Sequence, residues 1–125
     1  MTNAVRVKGG AAITAALFLA LPASAPAAGP VAKHASARAC APVVNPYPGT
    51  RYEGADLTRI RATRVTCRGA RRVARRAHRK ALSLPPPLTG VRRFTWRGWR
   101  VTGDLRPSSD RYVARKGRKR VSWRF

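Results

Sequence analysis

Residues 56–84 read DLTRIRATRVTCRGARRVARRAHRKALSL, and we expect the rest of the chain to be arranged around this segment. In its first third, Ile60 and Ala62 alternate with arginines, and Thr58 falls at the same parity as these apolar residues. A period of two is typical of a half-buried β-strand. The pattern therefore predicts a strand over 57–65 with one apolar face and one cationic face.

A helix is predicted to follow this strand directly. Thr66 has the side chain of an N-cap, and apolar residues then recur at three- and four-residue spacing. The residues expected to face a sheet are Cys67, Ala70, Val73, Ala74, Ala77 and Ala81. We expect the helix to stop before Pro85, because a proline disfavours helical geometry in the residue ahead of it. So charged a helix needs packing, a covalent tie or bound anions to hold it.

The C-terminal forty residues have the alternation of an antiparallel sheet. Phe94 and Trp96 alternate with polar residues before Gly98, where we expect the strand to bend. A turn at Gly117 joins two strands of a hairpin, and the second, over 119–125, has the cleanest alternation in the chain. The predicted fold class is α+β, with one helix packed on a three- to four-stranded antiparallel sheet in the order β-α-β-β-β.

The N-terminal segment has the pattern of a secretory signal peptide. Arg6 and Lys8 precede the apolar run AAITAALFLAL over 11–21, which is shorter than the roughly 20 residues that span a bilayer. Small residues follow, and we expect cleavage after Ala25 or Ala27. The sequence thus predicts a signal peptide over 1–27, a disordered leader over 28–39 and one domain over 40–125. The mature protein is expected to be extracellular and to have no membrane span.

The composition is strongly cationic. The 125 residues include 27 Lys plus Arg, of which 22 are Arg, against 4 Asp plus Glu, and the net charge is +23. The positive electrostatic field of so many cations favours polyanionic partners: an anionic wall polymer, nucleic acid, an anionic membrane surface or an acidic secreted protein. Arginine suits bidentate contacts with phosphate or carboxylate better than lysine does. The alternative is that the arginines reflect coding bias in a GC-rich genome.

Cys40 and Cys67 are the two cysteines of the chain. In an exported protein, oxidising conditions favour their pairing. The bond would close a loop of about 28 residues and contribute roughly 3 to 4 kcal/mol on the chain-entropy model. The alternative is a reactive thiol at Cys67, where Arg68 and the helix dipole would favour the thiolate. Because a second cysteine is available without C-x-x-C spacing, we expect the disulfide.

Three motifs resemble a family of small secreted actinobacterial domains of unknown function. They are I-R-A-T-R-V-T-C-R-G-A-R-R-V-A over 60–74, G-W-R over 98–100 and K-G-R-K-R-V-S-W over 116–123. The resemblance covers about half of the chain and implies a helix-on-sheet α+β fold, without an activity. Val101 and Ala114 stand where the family has a second cysteine pair, so the resemblance implies that a sheet disulfide has been lost and the one near the helix kept.

The sequence does not predict a catalytic or metal site. Its carboxylates are scattered over turns and strand ends, whereas paired acid and base catalysis needs two close together. They are Glu53, Asp56, Asp104 and Asp110. His34 lies in the predicted leader, and His78 lies on the helix among arginines, whose field opposes a metal ion. We therefore expect no enzymatic activity, no cofactor and no metal.

The predicted function is binding by a secreted, strongly basic, non-enzymatic protein to extracellular anionic polymers or surfaces. The predicted anion-binding residues are Arg68, Arg71, Arg72, Arg75, Arg76, Arg79 and Lys80 on the helix, and Arg118, Lys119, Arg120 and Arg124 on the last hairpin. Neighbouring aromatics such as Trp96 and Trp123 would either stack on bases and sugars or form the sheet core, and we favour the core. The alternative function is a small protein-binding module such as an inhibitor of an extracellular enzyme.

Overall fold

The structure is a computed structural model that describes Gly9 and residues 35–125. Apart from Gly9, the predicted signal peptide, its cleavage sites and the predicted leader up to residue 34 lie outside the described residues. Strand and helix bounds below refer to residues 35–125.

Six strands and one helix make up the regular structure of the described residues. In chain order they are β1 Arg38–Ala39, β2 Thr58–Thr63, α1 Cys67–Ser83, β3 Val91–Trp96, β4 Trp99–Asp104, β5 Arg111–Lys116 and β6 Lys119–Arg124. All neighbouring strands pair antiparallel, in the order β1-β2-β6-β5-β4-β3. Strand β6 therefore lies inside the sheet, between β2 and β5. The predicted α+β class, one helix on an antiparallel sheet, is confirmed.

The prediction of three or four strands is wrong, because two pairings had no recognisable local pattern. Arg97 and Gly98 have positive φ angles of 47° and 79°, and they join β3 to β4 with Trp96 paired to Trp99. This is a two-residue hairpin turn of the type that has positive φ at both central residues, and not a bend in one strand. The other extra strand is β1, which lies within residues 28–39, the range predicted to be a disordered leader, and pairs with β2.

A bulge interrupts the predicted alternation in β2. Arg59 has a φ of 49°, and the register against β6 shifts within the first half of the strand. The irregularity leaves Thr58 exposed, so placing it on the apolar face is wrong, and Leu57 is fully buried instead. Ile60 and Ala62, after the bulge, are buried as predicted.

Helix α1 begins and ends where its local signals predict. The Thr66 hydroxyl accepts a hydrogen bond from the Gly69 amide at 3.1 Å, and the helix ends two residues before Pro85. At this end the Arg92 guanidinium donates to the carbonyls of Ala81 and Pro85. The predicted apolar residues lie on the inner face of the helix: Cys67 is half-buried, and the others, Ala70, Val73, Ala74, Ala77 and Ala81, are buried. His78 is also buried there, which was not predicted.

The core lies between α1 and the sheet face that α1 covers. The large side chains on this face include Trp123, Tyr112, Val101 and Val121. The Tyr112 ring stacks on Trp123, with ring centroids 5.4 Å apart and planes 6° from parallel. The same ring lies over Gly103, where an added Cβ would lie 2.9 Å from Tyr112 Cδ1 and closer still to Cε1. The Tyr112 ring therefore occupies the space that a side chain at position 103 would need.

Candidate functional site

The two cysteines form the predicted disulfide, Cys40–Cys67. It joins the residue after β1 to the first residue of α1, with the two Cα atoms 5.3 Å apart. The Cys40 amide also donates to the Ile60 carbonyl at 2.8 Å. Because both thiols are bonded, the alternative of a reactive Cys67 is wrong, and the disulfide holds β1 against β2 and the helix.

His78 is a buried titratable residue for which the sequence suggested no structural role. Its Nδ1 is hydrogen-bonded to the Tyr47 hydroxyl at 2.7 Å, and its ring centroid lies 4.2 Å from that of Phe125 and 4.9 Å from that of Tyr112. Burial, and then the charge of Arg92, lower the pKa of His78 to about 3. Burial also raises the pKa of Tyr47. The pair is therefore neutral at neutral pH, and it ties the segment before β2 to the helix.

The carboxylates form hydrogen bonds within loops or at strand ends. Glu53, Asp56 and Asp110 each accept a hydrogen bond from a backbone amide, at 2.8 to 3.3 Å. Asp104 pairs with Arg106 at 2.8 Å, and this is the one ion pair within the described part of the chain. Residues 35–125 contain no group of three or more potential metal ligands. Nearly all of the cations in this part of the molecule therefore lack a carboxylate partner.

The predicted helix cations lie on the outer side of α1, away from the sheet. All seven are exposed: Arg68, Arg71, Arg72, Arg75, Arg76, Arg79 and Lys80. Five of them, Arg68, Arg71, Arg72, Arg75 and Arg76, surround a cavity of about 280 Å³ beside Val43. We call these seven residues the helix cations.

The predicted hairpin cations lie mostly elsewhere. Arg120 and Arg124 alternate along β6 with Val121 and Trp123, which are buried under α1. Because successive side chains on a strand point to opposite faces, both arginines lie on the sheet face away from the helix. Arg118 and Lys119 are exposed at the turn end of the hairpin, with Lys119 paired to Lys116. Arg120 and Arg124 are thus separated from the helix cations by the sheet, whereas Lys119 has the parity of Val121 and lies on the helix side.

The sheet face away from α1, which we call the open face, carries further arginines that the sequence did not predict as binding residues. Arg120 pairs with Arg115, and Arg115 pairs with Arg100, so that three arginines stand directly opposite one another on neighbouring strands. Arg124 likewise pairs with Arg111. With those from β2 and β3, the open-face arginines are Arg59, Arg61, Arg93, Arg100, Arg111, Arg115, Arg120 and Arg124.

A cavity of about 690 Å³ lies on this open face, at its β1 end. Five arginines line it: Arg59, Arg61, Arg111, Arg120 and Arg124. The hydroxyl-bearing residues Thr63 and Ser122 also line the cavity, and Val113 contributes an apolar side chain. Ala39 and Cys40 border it on the side of the disulfide. The alternation of β2 had indicated a cationic face, but the strand order was needed to place that face beside β6 and β5.

Residues 35–125 contain no helix that is long and apolar enough to span a membrane. Comparison of the whole chain with family models, with characterised proteins and with solved structures found no match. The resemblance to small secreted actinobacterial domains therefore stays a prediction from the motifs.

Proposed function

We propose that this protein is a secreted, strongly basic, non-enzymatic protein that binds extracellular anionic polymers or surfaces. The observation that carries the proposal is the pair of exposed arginine arrays on opposite sides of the molecule, the helix cations and the open-face arginines. Among residues 35–125 a single ion pair, Arg106 with Asp104, matches a cation with a carboxylate. Like charges on one helix face or directly across strands destabilise a fold, and a bound polyanion would relieve that repulsion.

An extracellular setting is supported by two features. The N-terminal pattern predicts a signal peptide with cleavage near Ala25 or Ala27. The disulfide between Cys40 and Cys67 is compatible with an oxidising compartment. Wall polymers, nucleic acids and anionic membrane surfaces are the polyanions that an exported protein would meet there.

The strength of the electrostatic contribution follows from the number of contacts. Each phosphate that a cation neutralises releases counterions, so log K falls with log salt concentration by about 0.7 to 0.9 per contact. For the five arginines that line the open-face cavity, we expect a slope of about −4. A fourfold rise in salt concentration would then weaken binding by roughly 100- to 500-fold.

The experiment is a binding titration of the oxidised protein with duplex DNA, an anionic wall polymer and anionic lipid vesicles over a series of salt concentrations. We expect binding to all three at low salt and a steep loss as salt rises. Absent binding would refute the proposal, because the arginines would then be a solvated surface. Binding that does not change with salt would also refute it, because the charges would then not carry the interaction.

A protein-binding module, such as an inhibitor of an extracellular enzyme, is the second candidate. The observation that favours it is Leu88, whose side chain is fully exposed directly after the triple proline that follows α1. Prolines restrict the connector, so an apolar side chain there is presented to a partner at low entropic cost. A salt-resistant one-to-one complex with a secreted protein, weakened by Leu88→Ser, would favour this candidate.

A further inference from the structure

The open face combines a concave shape with a regular array of cations. Its cavity, of about 690 Å³, is larger than the one beside the helix cations, of about 280 Å³. Starting from the proposed polyanion binding, we infer that the open face is the site for one kind of polymer: a linear phosphodiester chain, recognised through its backbone and not through aromatic bases. The inference deepens the proposed function, because it names the surface and the chemistry that it reads.

The spacing of the open-face arginines is set by the sheet. Neighbouring strands lie about 4.8 Å apart, and alternate residues on one strand lie roughly 6.6 Å apart. Arg100, Arg115 and Arg120 form one row across three strands. Arg111 and Arg124 lie four residues from this row on the same strands, in a second row that continues to the carboxylate of Asp104 on β4. Side chains carried by strands keep their positions better than those on loops. The first row therefore presents one positive charge per strand at the strand spacing, which suits a polymer with one negative charge per unit.

The donors in the cavity suit phosphate groups. A guanidinium offers paired N–H groups that donate two parallel, bidentate hydrogen bonds to two oxygens of one phosphate. Thr63 and Ser122 bring hydroxyl groups between these arginines, since Thr63 pairs with Arg120 and Ser122 pairs with Arg61. A phosphodiester has two unbridged oxygens and four lone-pair directions, so it can accept from a guanidinium and a hydroxyl at once. This mixed donor set favours phosphodiesters over isolated small anions.

The open face offers no stacking platform for bases among the described residues. Trp99 and Trp123 are buried in the core on the sheet face that carries α1, and Phe94 and Trp96 alternate onto that same face. Trp123 also borders the cavity, but it is only 1 % exposed. Proteins that bind single-stranded nucleic acid gain about 1 to 3 kcal/mol per base from stacking on aromatic side chains. Here aromatic stacking would add nothing for the bases of a nucleic acid, so we expect recognition of the backbone.

The first test compares two ligands with the same backbone: a single-stranded oligodeoxynucleotide and an abasic phosphodiester oligomer of equal length. Binding of the oxidised full chain is followed by competition against a fluorescent oligomer. We expect the abasic oligomer to bind at least as tightly as the normal one. A loss of about tenfold or more on removing the bases, which is what one stacked base contributes, would overturn the inference. Polyglutamate of equal charge should bind more weakly, and equal or tighter binding would also overturn it.

The second test places the site on the molecule. In the triple variant Arg61→Gln, Arg111→Gln and Arg120→Gln, three exposed open-face cations are neutralised while hydrogen-bonding amides remain. We expect affinity for the abasic oligomer to fall about 100-fold. Each hydrogen bond to a charged group raises affinity roughly tenfold, and screening by salt reduces the combined effect of the three. The slope of log K against log salt should fall by about 2 to 3. Circular dichroism confirms that the variant folds.

The matched control removes the same charge elsewhere. Arg51, Arg64 and Arg97 are exposed, lie outside both arginine arrays, and are changed together to Gln. We expect the affinity of this variant to fall by less than about fivefold, because salt largely screens charges that lie far from the site. Equal losses in the two triple variants would overturn the open-face site while leaving general polyanion binding intact. If the unmodified protein binds neither oligomer, the proposed function fails as well.

Discussion

Acid is expected to destabilise this fold through one side chain, His78. The imidazole is fully buried between the rings of Phe125 and Tyr112, and its Nδ1 is hydrogen-bonded to the Tyr47 hydroxyl at 2.7 Å. Its Nε2 has no hydrogen-bond partner. Protonation would therefore bury a positive charge with an unpaired N–H group, near the guanidinium of Arg92, whose charge also lowers the pKa of His78.

The magnitude follows from the two pKa values of His78. The pKa is 6.5 in the unfolded chain and about 3 in the folded protein. Between these values the unfolded state binds a proton that the folded state excludes, so the free energy of unfolding rises with pH. The contribution is fully present above pH 6.5 and is lost as pH falls below that value. Each unit of pH in this window changes stability by about 1.4 kcal/mol, so we expect a loss of about 2 kcal/mol between pH 7 and pH 5.

The assay is urea denaturation at fixed ionic strength, followed by tryptophan fluorescence at pH 7, 6 and 5. The variant His78→Asn serves as control, because its side-chain amide, attached to Cγ as Nδ1 is, can still bond the Tyr47 hydroxyl but does not titrate. We expect the variant to be less stable at pH 7 and to change by less than about 0.5 kcal/mol between pH 7 and pH 5. If the unmodified protein and the variant lose the same stability over this range, His78 is not the group responsible, and the reasoning is refuted.

Three further predictions concern stability, measured by chemical denaturation at neutral pH. Gly103→Ala should cost about 3 kcal/mol, because the new Cβ would overlap the Tyr112 ring, which is already packed against another ring; a cost below about 0.5 kcal/mol would show that the ring can move aside. Changing both Cys40 and Cys67 to serine should lower the free energy of unfolding by roughly 3 to 4 kcal/mol, because the loop between these residues, with a sequence separation of 27, is no longer closed in the unfolded chain. If a reductant leaves the unmodified protein equally stable, this prediction is contradicted. Thr66→Ala should cost about 1 kcal/mol through the lost N-cap bond, and Thr66→Ser should retain most of the stability; equal losses would contradict the role of the hydroxyl.

The helix and the disulfide were predictable because their signals are local or few. Thr66 as N-cap, alanines at three- and four-residue spacing and Pro85 as the stop lie within about twenty consecutive residues, and together they define α1. With two cysteines in the chain, Cys40 and Cys67 had one possible intramolecular pairing. Neither inference required the position of any other element.

The strand count was missed because of turn chemistry and long-range pairing. Two-residue hairpin turns usually have Asn-Gly or Asp-Gly, whereas here the first position is Arg97, an uncommon residue at positive φ. Strand β1 is only two residues long, and no period can be recognised in two residues. Its pairing depends on β2 and on the nearby disulfide, so a local pattern could not indicate it.

The open-face site could be predicted only in part. Arg120 and Arg124 were recognised from the alternation of β6, and the cationic face of β2 was recognised as well. The strand order, which inserts β6 between β2 and β5, is what brings Arg61 and Arg111 to the same surface. Strand order arises from pairing between distant segments and leaves no trace in the periodicity of any one strand.

The central position of β6 also has a consequence for how the chain folds. The pairs between β2 and β6 join residues roughly 60 positions apart, from Thr58 with Arg124 to Thr63 with Arg120. Such non-local pairing is slow, on the scale of milliseconds to seconds. Until β6 has been synthesised, β2 lacks a long partner strand and α1 lacks part of the surface that it covers, and a helix so highly charged is marginal alone. The nascent chain should therefore remain unfolded until its last strand emerges, a property that suits the passage through a narrow export channel that its N-terminal pattern predicts.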